Sequence, residues 1–171
     1  MTVVYIPATL AMLQQLVADG SLRPVSGTAF ALTPKLREAY AAGDDDELAD
    51  VALREAALAS LRLLAGEAPS DSRPPRRAVL AGDVDFDASG VTYRPDLDDA
   101  VVRLPGAVPI EDVIAAYVDN AGAEEAVARA IEAVDAADLG DEDAELIVGD
   151  AQDHDLAWYA NQELPFLLEL M

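Results

Sequence analysis

Hydrophobic and polar positions change period several times along the chain, and each change marks an element. Val3-Val4-Tyr5-Ile6 is β-branched and aromatic and stops at Pro7, which predicts an opening strand. Thr9 then stands where an N-cap belongs. Leu10, Leu13, Leu16 and Val17 follow at helical spacing, and Gly20 supplies the stop. A second strand is expected from Thr28 to Leu32, beyond the loop through Pro24 and Gly27. Thr33-Pro34 reopens a helix as N-cap and first helical residue. After Gly43, the carboxylates of Asp44, Asp45, Asp46 and Glu47 suit the positive end of a helix dipole. Leu48, Val51, Leu58 and Leu61 then give one face of a long helix running to about Ala65, with Gly66 as its C-terminal cap.

Residues 67–77 hold Pro69, Pro74, Pro75, Ser70 and Ser72 and read as an exposed connection. It carries Arg73, Arg76 and Arg77, the one basic cluster, which is read as a solvated loop in preference to an anion site. Strands are expected from Ala78 to about Phe86, from Ala100 to Leu104 and from Val113 to Val118. Helical spacing returns at Val127, Ala130, Ile131 and Val134 and ends at Asp138-Leu139-Gly140; Asp141 and Asp150 can each start a further short helix. The closing Leu164-Pro165-Phe166-Leu167-Leu168-Glu169-Leu170-Met171 is apolar enough that Phe166, Leu167 and Leu170 are expected to be buried, against the domain or against a second copy. Strands separated by turns in the second half predict one α+β domain over 1–171. Its mixed or antiparallel sheet has about four to five short strands, covered on one face by helices.

Composition sharpens this picture. Apolar residues are 52% of the 171 and aromatics only 5%, so the core is built mainly from Leu, Val, Ile and Ala. Thirty-three acids face 11 Lys and Arg, a net charge of -22 that repels nucleic acid and anionic membrane surfaces. Lys35 is the single lysine, which fits the codon bias of a GC-rich genome; a salt-adapted proteome gives a similar surface. With no cysteine, disulfides, thiolate metal sites and a cysteine nucleophile are excluded. No signal-peptide pattern opens the chain and no apolar run reaches the ~18 residues of a membrane span, so a cytoplasmic location is expected.

Two constellations carry candidate chemistry. Asp83, Asp85 and Asp87 alternate like the start of a calcium loop, but the sixth and twelfth positions, which need Gly and Glu, hold Ala88 and Arg94. A half-buried strand showing its acids to water is the preferred reading. Asp150, Asp153 and His154, with Glu163 further on, form the richest polar group, and on one helix face the first three offer two carboxylates and the chain's sole imidazole to a metal or to acid–base work. Against this, Asp150 and Asp153 also read as a capping arrangement, and Trp158 as core. Phosphate-loop, dinucleotide-loop and nucleophile-elbow patterns are missing, and no cofactor is expected.

The stretch Val4 to Leu10, and that from Asp135 to Asp143 through Leu156-Ala157-Trp158-Tyr159, resemble a family of actinobacterial conserved hypothetical proteins, a domain of unknown function. The resemblance implies one intact domain and favours GC bias over salt adaptation; it brings no activity, cofactor or site residue. The expected function is therefore a non-catalytic binding or regulatory module whose acidic surface meets a basic protein. The alternative is a small metal-dependent enzyme using the Asp150 to Glu163 region, and a homo-oligomer through the apolar C-terminus stays open.

Overall fold

A computed structural model describes residues 2–40, 42–67 and 73–170. In chain order they form β1 (Thr2–Ala8), α1 (Leu10–Asp19), β2 (Ser21–Leu22), β3 (Thr28–Ala31), α2 (Pro34–Ala39), α3 (Asp45–Gly66), β4 (Ala78–Val84) and α4 (Phe86–Ser89). There follow β5 (Thr92–Tyr93), β6 (Val101–Arg103), β7 (Val108–Pro109), β8 (Val113–Val118), α5 (Glu124–Asp138), α6 (Glu142–Gln152), β9 (Ala157–Ala160) and α7 (Leu164–Glu169). Three caps sit where the sequence puts them: the hydroxyls of Thr9 and Thr33 accept from the amides of Met12 and Leu36, and Gly20 closes α1 at a φ of 77°. Asp44 caps α3 by accepting from the Glu47 amide. Gly66 is the last residue of α3 and not its cap, which is Glu67.

The sheet has seven strands in the order β5-β6-β3-β1-β4-β8-β9, each neighbour antiparallel, and β2 pairs with β7 apart from it. The expected count of four to five is corrected upward. The five strands legible in the sequence are the five central ones; β5 and β9, at the two edges, escape because they are only two and four residues long and their positions are exposed or half-buried. Pro7 does not end β1. It pairs with Val79 of β4 at a point where the pairing with β3, last seen at Tyr5, has already stopped, so one side of the strand carries no ladder to lose.

Helices cover both faces of the sheet, not one. Val4, Ile6, Leu80 and Ala116 pack with Leu13 and Leu16 of α1 and with Leu164 and Leu167 of α7. On the opposite face Phe30, Val79 and Val101 meet Leu48, Ala52 and Ala56 of α3, with Tyr5 and Tyr117 packed alongside. Both alternating sets of β1 and β4 are therefore apolar, as strands buried on both sides require. A third cluster joins Leu61 to Val127, Ala130 and Val134 of α5 and to Ala144 and Val148 of α6.

The buried stripe of α3 is Leu48, Ala52, Ala56, Ala57, Ser60 and Leu61, while Val51 and Leu58 are half-buried. Small side chains let the helix lie close to the sheet. Ser60 uses that closeness: its hydroxyl donates to the Ala8 carbonyl at 2.7 Å and accepts from the Ala78 amide at 3.0 Å, joining the ends of β1 and β4. No helix among the described residues is long and apolar enough to cross a membrane.

Candidate functional site

The register Ala78↔Val118 between β4 and β8 makes Arg77 and Asp119 the next pair outward, and the Asp119 amide continues the ladder by donating to the Arg77 carbonyl at 3.1 Å. Their side chains are 1% and 0% exposed. The guanidinium donates to both carboxylate oxygens, from Nε at 2.9 Å and Nη2 at 2.8 Å, and the Arg77 amide adds a third bond to Asp119 at 2.8 Å. Nη1 donates to Gln152 Oε1 and Nη2 to the His154 carbonyl, each at 2.8 Å, while the Gln152 amide reaches the Arg54 carbonyl of α3 at 3.1 Å. One guanidinium thus ties the sheet to α3 and to the end of α6. Beside it, Arg76 grips Glu124 at 2.8 Å and is largely buried. The reading of Arg76 and Arg77 as part of a solvated loop is overturned, because each finds a carboxylate in the interior fold; the central residues of the connection, 68–72, lie outside the described residues.

Over Arg77 lies a cleft of about 60 Å³ lined by Asp50, Arg54, Gln152, His154 and Asp155 among others. Such a volume holds a few waters and is far below the roughly 300 Å³ at which small-molecule pockets begin. Arg77 is neutralised by Asp119 and spoken for on both terminal nitrogens, so it acts as a strut and not as an anion receptor.

The sequence-selected residues do not converge. Asp150 is exposed within α6, whose N-cap is Asp141, so it neither begins a helix nor caps one. Asp153 is exposed at the C-terminal end of the same helix. His154 is half-buried and its carbonyl serves Arg77. Glu163 is exposed and accepts from the Ala160 amide at 3.2 Å, while Asn161 fastens the carbonyls of Ile110 and Val113. Asp83 is half-buried on β4, opposite Val3. Asp85 caps α4 by accepting from the amides of Asp87 and Ala88, and Asp87 is exposed in that helix's first turn. The strand expected to run to Phe86 ends at Val84 for this reason. Among the described residues no three of His, Asp and Glu gather to hold a metal ion.

A different group comes together on the α3 face of the sheet. Tyr5 and Tyr117 meet edge to face, ring centres 6.3 Å apart at 62°. Tyr117 stands opposite Trp158 across the β8–β9 pair, which puts both on one face. Trp158 is 57% exposed rather than core. Burial raises both phenols above the ordinary tyrosine value; Tyr5 is pushed further by Tyr117 and by Asp50 and Asp46 of α3, and Tyr117 by Asp50. Asp50 reaches this strip through the cleft, which it lines together with Leu156; Leu156 packs on the same cluster as Tyr5 and Tyr117 and stands two residues before Trp158. Sequence reasoning missed the strip because its members are distant along the chain and only the sheet register joins them.

A family of unknown function (DUF6912) matches residues 2–168 of the chain. No curated protein and no solved structure matches it. The chain belongs to that family.

Proposed function

We propose that this member of the family is a non-catalytic acidic binding module whose partner is a basic protein surface and not a nucleic acid. One observation carries the reading. Seven ion pairs among the described residues engage seven of the eleven cations with the chain's own carboxylates, so few positive groups are left to blunt an excess of acid that totals -22. Such a surface steers a partner rich in Lys and Arg and makes the association rate fall steeply as salt rises. Asp150, Asp153 and Glu163 are exposed and His154 is half-buried, and among the described residues they form no three-member group suited to a metal, so the metal-dependent alternative gains no geometric support here.

The test is a pull-down from the source lysate with the full chain as bait at ~0.15 M salt, where screening reaches about 8 Å. Retention of one basic protein, with an association rate that drops as salt is added, is the expected result. Recovery of nothing, or of RNA or DNA in its place, overturns the reading.

A further inference from the structure

We infer that the strip formed by Tyr5, Tyr117 and Trp158, with Asp50 at its rim, is where an arginine side chain of the basic partner docks; the inference rests on the function proposed above and gives it a place. The strip has the two halves that a guanidinium selects. An exposed indole offers the most strongly cation-attracting aromatic face among side chains, and a guanidinium can lie flat on it. A carboxylate at the edge then receives the planar N–H fork. Asp50 supplies that carboxylate from α3, and it is exposed and absent from the ion pairs found among the described residues.

The neighbouring charges agree in sign. Asp46 stands one helical turn before Asp50 on α3, and Asp155 lines the adjoining cleft. Arg77 adds no net charge there because Asp119 pairs with it. Arg54 is the opposing group: it is exposed, lines the same cleft, and stands one helical turn from Asp50. Its presence makes a directional expectation, since removing it strengthens capture of a cation while removing Asp50 weakens it.

The sole tryptophan of the chain makes the site report on itself. A fluorescein-labelled Arg-Gly repeat peptide is titrated into the unmodified protein at ~0.15 M salt, with anisotropy reading total binding and, in a parallel titration with unlabelled peptide, Trp158 emission reading occupancy of the strip. The expected result is binding seen by both. D50N then weakens binding about threefold or more, R54A strengthens it, and D143N on the exposed start of α6 changes it less than twofold, within the range of a cation–π contact and its partner charge. Binding by anisotropy with unchanged Trp158 emission, or equal losses for D50N and D143N, overturns the docking site and leaves the acidic module standing. A peptide that does not bind, beside a basic partner that does, also overturns the site. Failure of both peptide and lysate partner removes the function itself.

Discussion

Arg77 and Asp119 show how a charged side chain is accommodated in an alanine-rich interior. Burying two charges costs several kcal/mol each, and the cost is offset here by three bonds to one carboxylate and two more to Gln152 and His154. Removing one partner strands the other, so R77A or D119A is expected to lower unfolding free energy by about 3–5 kcal/mol in urea titrations. R77M combined with D119L recovers part of that loss, because no isolated charge remains. Tyr5 and Tyr117 provide a pH expectation. Their phenols are held above the ordinary value of 10.0 when folded, so the unfolded chain releases its protons first and stability falls as pH rises through about 10. Melting temperatures between pH 8 and pH 11 should fall less steeply for Y117F, which has no proton to lose there. At this scale the sequence said little: Pro74 and Pro75 make Arg77 look like loop, and only the register opposite Asp119 reveals its burial.

Elements were far more legible than residues. Caps at Thr9, Thr33 and Asp44 and the strand Val113–Val118 follow from local chemistry that acts within a few residues. The edge strands do not, since β9 gains its identity from pairing with β8 and not from its own pattern. On α3 the large Leu58 packs against the cluster of α5 and α6, while Ala52, Ala56 and Ser60 are the buried positions toward the sheet; close approach selects small side chains, which hydropathy undervalues. Two substitutions check this. A56L overpacks the contact and is expected to cost about 1–3 kcal/mol. S60A leaves the Ala8 carbonyl and Ala78 amide without their partner and is expected to cost about 1–3 kcal/mol. The C-terminal apolar residues divide: Leu167 is buried as expected, but Phe166 and Leu170 are 68% and 87% exposed on the chain by itself. The helix α7 is amphipathic across its short length, and the run of apolar letters hides that. L167A is therefore expected to cost roughly 2–5 kcal/mol and F166A less than about 0.5 kcal/mol. A change of solution mass on F166S, measured by light scattering, would show that a second copy covers the exposed side.

Over the whole molecule, the succession of strands, turns and helices predicted the class of fold, while the number of layers emerged only from the sheet order. A net charge of -22 strains any compact state through self-repulsion, so the melting temperature is expected to rise between low salt and ~1 M NaCl, where screening falls to about 3 Å; an unchanged curve by scanning calorimetry counts against it. The sheet order carries a consequence for biogenesis. Of the described strands, β1 leaves the ribosome before the others, yet it occupies the middle of the sheet between β3 and β4. Its first neighbour arrives soon after α1, but its longer partnership, seven register positions with β4, waits until α3 and the connection beyond it have been translated. Until then one flank of this central strand is an open template, and a stalled nascent chain ending before Ala78 would present it to other such chains. Chaperone holding, or aggregation where it is lacking, is the expected fate of such fragments, whereas translation past Val84 closes the gap.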